Sequence, residues 1–421
     1  MFKRLMILLA ALALMVGVGA VTTAQATDVN GSMVYRWEGF NNYDQDSDLD
    51  DGLGFSQLRT RVGFGGDVGS NASYMLMIEN YRVMGDPTSS IDQLYQATFT
   101  ARDFLFDDYD VTFGRMPVAY GRERIIGKED WSLDPSERTI FEGYHSRYSF
   151  ENGWFDFFNF KLGEAYDGRY AAGEGDANLS GFYMHYDANE KFWFEPYALL
   201  TTQDNYDVGV DDADNDKTLL FGALVDYMHN GLHFYGEATA VSGTNYELAD
   251  AGKAADYDEQ DISALGWYLG LFYDFDSTAE PYIGFEYNVA SGDEDAADAE
   301  SGTFASPFGS SRDYLGIMNI VPWSNVKAMR FAGGFMPTDG LDVGIDYFMF
   351  DAEQGDVTIG TELDITLDYM LNDDVDLHGG VGLFTFDDSG AAATKSPMAP
   401  YGYSAPGDPL AFAWLGASVA F

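Results

Sequence analysis

Apolar and polar residues alternate along many stretches of this chain. Between Val357 and Leu371, apolar residues occupy almost every second position, and glycine, threonine or a carboxylate occupies most positions between them. The segments Leu341–Met349 and Tyr282–Ala290 repeat the pattern. Because successive side chains of a β-strand point to opposite faces, a period of two predicts strands with one apolar face and one polar face. About ten such residues suffice for a tilted strand to cross a bilayer.

The same reading of the whole chain predicts 18 strands, joined by connections that are short and long in turn. The predicted strands cover residues 29–41, 54–68, 71–83, 91–104, 108–116, 137–150, 152–163, 178–188, 190–202, 216–229, 231–243, 260–275, 278–290, 325–337, 340–351, 356–371, 374–386 and 409–421. Short turns on one side and long loops on the other are typical of transmembrane β-barrels, and an even strand count places both termini on the short-turn, periplasmic side. One segment, Phe304–Pro322, fits either two further strands or a loop folded into the lumen.

Closure of the sheet explains how such strands can cross a membrane. In hydrocarbon every backbone N–H and C=O group needs an internal partner, and a closed sheet leaves no unpaired edge. A barrel of about 18 strands is too wide for its own side chains to fill, so its interior holds water or inward-folded loops. The predicted fold is therefore an all-β, antiparallel up-and-down transmembrane β-barrel.

The composition and the first residues fit this fold. The chain has 32 Phe, 28 Tyr and 47 Gly but no Cys, so a hydrogen-bonded sheet, and not disulfides, must hold it together. A basic start at Lys3-Arg4, an apolar run and the small residues of Ala24-Gln25-Ala26 predict a secretory signal peptide, residues 1–26, cleaved after Ala26. Residues 27–421 would then form one barrel domain in the bacterial outer membrane. No later apolar run is long enough for a membrane helix.

The formal net charge of −47 argues against some classes of function. Nucleic-acid binding is disfavoured because phosphates need a basic face. The acidic connections predict a solvated rim that attracts cations. A specific calcium site in the run Asp44–Asp51 is the weaker interpretation, because the glycine that follows, Gly52, comes one position later than in a calcium-binding loop. The five histidines lie apart and no G-x-S-x-G motif occurs, so we expect neither a metal site nor an enzyme, and no cofactor.

The cations are unevenly placed along the chain. Thirteen of the 22 Lys and Arg residues lie between Arg36 and Arg169. Arg59 and Arg61 alternate with apolar residues, and Arg147 alternates with tyrosines, so we expect these three side chains to point into the lumen. Two interpretations follow. The arginines line the pore and attract anionic solutes, or they pair with inward carboxylates and relieve the repulsion between them.

The stretch from Phe113 to Gly143 carries a specific series of short motifs. They are Gly114-Arg115, Tyr120-Gly121-Arg122, Arg124, Asp130-Trp131, Arg138 and Phe141-Glu142-Gly143. This series resembles that of the alginate-export porin family, with Glu142 where the family usually has Asp. Weaker support comes from Arg59-Thr60-Arg61 and from residues 304–316 and 360–364. The resemblance implies an 18-stranded barrel with an electropositive constriction that conducts a polyuronate. It also implies that Arg115, Arg122, Arg124 and Arg138 lie near the constriction, and that Tyr120, Gly121, Trp131 and Gly143 shape the loop.

Together, the pattern and the resemblance predict a passive outer-membrane porin for small or anionic solutes, with export of an alginate-like polysaccharide as the narrower interpretation. The predicted pore-lining residues are Arg59, Arg61, Arg115, Arg122, Arg124, Arg138 and Arg147. The expected partners are outer-membrane lipid and lipopolysaccharide, the solute or polysaccharide, and the barrel assembly machinery, which would recognise the C-terminal strand that ends at Phe421. The alternative is a structural or adhesion barrel with a plugged lumen and no transport role.

Overall fold

The computed structural model describes residues 28–42, 52–128, 131–163, 176–203, 216–248, 257–295, 298–310, 314–387 and 409–421. The predicted signal peptide, the Asp44–Asp51 run, Asp130 and most of the acidic connections lie outside the described residues.

The described residues form a series of long strands and one very short one. They are β1 (Asp28–Asn41), β2 (Leu53–Asp67), β3 (Ala72–Val83), β4 (Ile91–Ala101), β5 (Tyr109–Met116), β6 (Phe141–Phe150), β7 (Gly153–Gly163), β8 (Ala177–Asn189), β9 (Phe192–Gln203), β10 (Asp216–His229), β11 (Leu232–Leu248), β12 (Tyr257–Asp274), β13 (Tyr282–Ala290), β14 (Glu300–Ser301), β15 (Val326–Thr338), β16 (Leu341–Ala352), β17 (Thr358–Asn372), β18 (Val375–Phe386) and β19 (Leu410–Ala420).

All strands except β14 form one closed antiparallel barrel. Each pairs with the next along the chain, β13 pairs with β15, and β19 pairs with β1 to close the sheet. The two-residue β14 lies beside the barrel wall and pairs in parallel with residues 261–262 of β12. The predicted barrel of 18 antiparallel strands is therefore confirmed.

The last residue of the chain completes the seam between β1 and β19. The Gly31 N–H donates to the carbonyl oxygen of Phe421 at 2.9 Å, and the Phe421 N–H donates to Gly31 at 3.0 Å. The Phe421 ring lies over Gly31, where an added Cβ would come within 2.7 Å of it. Recognition of this terminal strand by the assembly machinery stays a prediction, but its place in the closed fold is clear.

The two faces of the wall differ as the alternation predicts. On β17, Glu362 and Asp364 are at most 1% exposed, whereas Leu363, Ile365 and Leu367 are 37–45% exposed. Exposed apolar side chains belong on the lipid-facing outside, and buried polar side chains belong inside the barrel. Among the described residues, no helix is long and apolar enough to cross a membrane.

Two connections at the long-loop end fold into the lumen. The first inward segment, residues 117–140, joins β5 to β6, is described at 117–128 and 131–140, and contains a short 3-10 turn at Pro135–Glu137. The second inward segment, residues 302–325, leads into β15 and is described at 302–310 and 314–325. Its backbone N–H groups at Ile317 and Met318 donate to the inward carboxylates Asp364 and Glu362, at 3.1 and 2.9 Å.

These contacts decide between the two interpretations of Phe304–Pro322, which were two further strands or a loop folded into the lumen. The described part of 304–322 forms no additional pair of wall strands and lies as a loop inside the barrel.

The two inward segments also bind each other. The Gly127 N–H donates to Phe308 at 2.7 Å, and the Ser310 N–H donates to Glu123 at 2.7 Å. The rings of Phe141 and Phe308 meet edge to face, with 5.8 Å between centroids. Side chains and backbone therefore fill much of the barrel at this level, and the remaining passage is set by how the two segments lie.

Candidate functional site

The first inward segment contacts the inner wall of the adjacent strands β6–β8 at Tyr120. The Tyr120 hydroxyl donates a hydrogen bond to Asp156 Oδ2 at 2.7 Å, and His145 Nε2 lies 3.0 Å away. Its ring stacks on Tyr183 of β8 with 4.1 Å between centroids. Burial, and then the negative charge of Asp156, raise the pKa of Tyr120 well above its usual value. The phenol therefore stays protonated and keeps donating.

Gly121 allows the segment to turn close against the wall. Its φ of +55° lies in the left-handed region, which glycine adopts without steric cost. A Cβ at this position would come within 2.9 Å of both Leu224 Cδ2 and the Tyr183 hydroxyl. This close approach fixes the direction of the two arginines that follow.

Arg122 lies flat on an aromatic ring in the lumen. Its Cζ is 3.3 Å from the ring centroid of Tyr235 on β11. Its Nη2 is 3.6 Å from Asp226 Oδ2 and 3.5 Å from His233 Nε2, and that His233 nitrogen lies 2.9 Å from Asp226. These contacts hold the side chain in position, and it stays 31% exposed toward the lumen.

Arg124 points instead into the packing between the two inward segments. Its Nη2 donates to Glu286 at 2.8 Å, its Nη1 donates to Asn288, and its Cζ lies 3.6 Å from the Tyr268 ring and 4.5 Å from the Tyr314 ring. Burial works against its charge, but Glu286 more than offsets this and raises the pKa of Arg124 above its usual value. Arg124 is only 3% exposed and joins the second inward segment to the wall.

The return half of the first inward segment is fixed near the barrel seam. The Arg36 Nη1 of β1 donates to the carbonyl oxygen of Trp131 at 2.5 Å, and the guanidinium lies 3.8 Å from that ring. Trp131 also meets Trp414 of β19 edge to face at 5.8 Å. Trp131 thus holds the segment to the wall.

A buried triad holds the end of the same segment. Arg138 donates from both Nη atoms to Glu79 of β3, each at 2.8 Å, and Arg61 Nε donates to the same carboxylate at 2.7 Å. The Arg61 guanidinium also lies 3.7 Å from the Tyr95 ring. Because the side chains of Arg138 and Glu79 have no exposed surface, this pair acts as an attachment point and not as part of the open pore.

A cavity of about 300 Å³ opens between the first inward segment and the wall. It is lined by Gly121, Arg122, Glu123, Arg124, Tyr235, Glu286, Tyr314 and Arg330. We call it the constriction cavity. Its lining holds three arginines and two glutamates, Asp226 and Asp346 pair with Arg122 and Arg330 beside it, and two tyrosines give it apolar faces.

Arg330 of β15 belongs to this cavity but was not among the predicted site residues. It pairs across strands with Glu286 and forms a two-pronged ion pair with Asp346 at 2.7 and 3.0 Å. Arg330 alternates with outward Met329 and Phe331, so the period-two pattern could have placed it inside.

Arg115 lies away from the constriction cavity. It shares a face of β5 with Phe113, which is 39% exposed, and its cross-strand partner is Glu142. Its Nη1 donates to Glu142 at 2.6 Å, and the Glu142 side chain is 58% exposed. This ion pair therefore lies on the outer face of the barrel, near the long-loop end. The structure does not bring Arg115 together with Arg122 and Arg124.

The remaining predicted residues lie on the inner wall. Arg59 of β2 is buried at 6% exposure, and Arg147 of β6 makes a two-pronged ion pair with Asp156, both bonds at 2.7 Å. Gly143 lies in β6 and not in the loop. A Cβ there would clash with the carbonyl oxygen of Asn159, so glycine lets β6 and β7 approach. Arg147 thus lies on the inner wall and balances an inward carboxylate.

No group of three or more potential ligands capable of holding a metal ion occurs among the residues that the structure describes.

Two family models match the chain. The model described as alginate export matches residues 88–364, more than half of the chain, and the model described as phosphate-selective porin O and P matches residues 30–133. No curated protein matches the sequence.

Solved structures of outer-membrane channels share the fold. OccAB1 of Acinetobacter baumannii has a TM-score of 0.60 at 13% identity, covering 94% of this chain and 97% of that chain. OccD3 (OpdP) of Pseudomonas aeruginosa has a TM-score of 0.58 at 12% identity, covering 96% and 93%. OccK10 (OpdN) of Pseudomonas aeruginosa has a TM-score of 0.56 at 11% identity, covering 94% and 99%. At these identities the likeness concerns the fold alone.

Proposed function

Because this chain belongs to the alginate export family and folds as an outer-membrane porin-like barrel, we propose that it is a passive channel for anionic solutes, acidic polysaccharides among them. The observation that carries the proposal is the constriction cavity, where Arg122, Arg124 and Arg330 converge on one opening. Rings of basic side chains at a narrow point select for anions in pores of this kind.

The three arginines contribute differently to selectivity. Arg124 is buried and paired, so its charge acts mainly on the packing. Arg122 and Arg330 keep 31% and 21% of their side-chain surface exposed, and both present their charge to the cavity. A passing carboxylate would exchange part of its hydration shell for these donors, while the neighbouring Asp226 and Asp346 keep the site from binding it too tightly to leave.

The volume of the constriction cavity suits one small anion or one sugar residue at a time. The cavity of about 300 Å³ is at the lower limit of pockets that enclose a drug-sized molecule. Sugar residues of a linear polymer would pass it one after another, and small organic anions would pass it freely. No coupling to energy is needed, because the gradient across the membrane drives movement.

Single-channel recording in planar bilayers tests the proposal. Under a salt gradient, we expect stepwise conductance and a reversal potential that favours anions. Arg122→Ser should lower the anion-to-cation permeability ratio by about threefold, which is the effect of one unit charge about 6 Å from the ion at water-like dielectric, roughly 0.7 kcal/mol.

Arg115→Ser is the matched control, because it removes the same charge from the outer face of the barrel. It should leave the reversal potential unchanged. A channel that favours cations in the unmodified protein, or equal effects of the two substitutions, would contradict the proposal. Absence of any stepwise conductance would favour the alternative of a structural barrel, which the packing of the two inward segments in the lumen makes worth testing.

A further inference from the structure

Three partly exposed rings form a row near the short-turn end of the barrel. They are Trp154 of β7, His185 of β8 and Trp193 of β9, and we call them the mouth row. The centroids of Trp154 and His185 are 5.7 Å apart with ring planes 12° from parallel, and those of His185 and Trp193 are 5.3 Å apart. The row thus crosses three adjacent strands, with the Trp193 ring tilted 40° from the His185 ring.

The mouth row faces the lumen. Trp154 shares its face of β7 with Asp156, which has no exposed surface, and Trp193 shares its face of β9 with Glu195, which is 6% exposed. Trp154 and His185 are direct cross-strand partners. The outer face of the same strands carries Phe157, which is 48% exposed. Because polar residues face inward and exposed apolar residues face outward, the three rings belong to the inner wall.

Polar partners fix the orientation of His185 and Trp154. His185 Nδ1 lies 2.8 Å from Glu195 Oε1, and its Nε2 lies 3.3 Å from Asp187. The guanidinium of Arg147 lies 3.8 Å from the Trp154 ring and is held by Asp156. His185 is thus held at its edge and Trp154 is covered on one face by Arg147, so these two rings keep their positions in the absence of a ligand and binding costs little ordering.

Buried packing links the mouth row to the constriction cavity. Tyr120 stacks on Trp154 at 6.1 Å and on Tyr183 at 4.1 Å, and the next residues along the chain are Gly121 and Arg122. Tyr120 and Tyr183 are buried, so this packing connects Trp154 to the segment that carries the cavity arginines and does not extend the exposed row.

We infer that the mouth row is a binding site for the pyranose rings of a sugar chain, and that Arg147 beside it contacts the carboxylates of acidic sugars. The inference rests on the proposed function and names where its cargo first binds. Pyranose rings present flat C–H faces that pack on aromatic rings, while their hydroxyl groups stay in water. The Arg147 side chain is 40% exposed next to Trp154, so a carboxylate on a stacked sugar lies within its reach.

Current blockade by oligosaccharides tests the inference. Hexamers of a neutral glucan and of a uronic acid are added on the short-turn side of single channels, and residence times are taken from the blockade durations. Both hexamers should block, and the uronic acid should block longer. Trp193→Ala should shorten the residence of both hexamers by about three- to tenfold, the effect expected for the loss of one aromatic contact.

Trp267→Ala is the matched control, since Trp267 shares the outer face of β12 with Leu265 and Leu269 and should leave residence unchanged. If Trp193→Ala fails to assemble, Trp193→Leu keeps apolar volume without the ring and should also shorten residence. The inference is overturned if the unmodified channel shows no blockade by either hexamer, or if the Trp193 variants match the control. An open channel that still selects anions in that case would leave the proposed function intact.

Discussion

Replacing Glu79 by glutamine should release the end of the first inward segment from the wall. The carboxylate accepts from Arg61 at 2.7 Å, from both Nη atoms of Arg138 at 2.8 Å and from Gln93 at 2.9 Å. Glu79→Gln keeps one acceptor oxygen, but its new amide group faces donors and leaves two buried guanidinium groups without a counter-charge. Breaking a buried ion pair by removing one partner costs about 3–5 kcal/mol.

Counting the hydrogen bonds that Glu79→Gln removes gives a similar loss of stability. At least two charge-assisted hydrogen bonds disappear, at about 1.5–3 kcal/mol each. Glu142→Gln is the matched control, because it makes the same change in an ion pair with Arg115 whose carboxylate side chain is 58% exposed. Exposed pairs of this kind contribute about 0–1 kcal/mol.

Urea-induced unfolding of both variants in lipid vesicles, followed by tryptophan fluorescence, measures the difference. Glu79→Gln should lower the free energy of unfolding by several kcal/mol and make single-channel current noisier, because the segment it anchors borders the pore. Equal unfolding midpoints for Glu79→Gln and Glu142→Gln would refute the view that burial makes this carboxylate an anchor.

Three further substitutions have defined outcomes. Gly31→Val should reduce the folded fraction seen by gel mobility, because a Cβ there would come within 2.7 Å of the Phe421 ring at the barrel seam. Tyr120→Phe should destabilise the barrel by about 1.5–3 kcal/mol through its lost bond to Asp156. The raised pKa of Tyr120 keeps that bond at every pH below the ordinary tyrosine value of about 10, so urea unfolding at pH 7 and pH 9 should give the same difference. Gly121→Ala should cost about 1–3 kcal/mol, because its φ of +55° disfavours any side chain, and a change below about 0.5 kcal/mol would contradict this.

The barrel was predictable because each wall strand repeats one physical rule. Lipid outside and water or protein inside require apolar and polar residues to alternate along each strand. A single strand such as β17 can therefore be recognised from its own sequence. The start of β6 was less predictable. The prediction began this strand at residue 137, whereas it begins at Phe141, because Arg138 turns away to bind Glu79. A contact between residues 59 positions apart leaves no local pattern.

The candidate site was predictable only in part for the same reason. The inner positions of Arg59, Arg61 and Arg147 follow from alternation on their own strands. Arg115 was expected at the constriction on the strength of a motif, although its alternation with Gly114 and its shared face with Phe113 place it outside. The constriction cavity itself is formed by two segments without a repeating pattern, so the sequence could indicate its arginines but not which of them meet.

Burial separates two roles of arginine within this one loop. Arg122 and Arg124 are two residues apart, yet one lies on an open tyrosine face and the other is enclosed by Glu286 and aromatic rings. An enclosed arginine needs its carboxylate, because an uncompensated buried charge costs several kcal/mol, and so it fixes where the loop lies. A half-exposed arginine is screened by water, contributes little to stability and remains available to a passing anion. Substitution of an enclosed arginine such as Arg124 should therefore change how the lumen is built. Substitution of a partly exposed arginine such as Arg122 should change only what passes through the lumen.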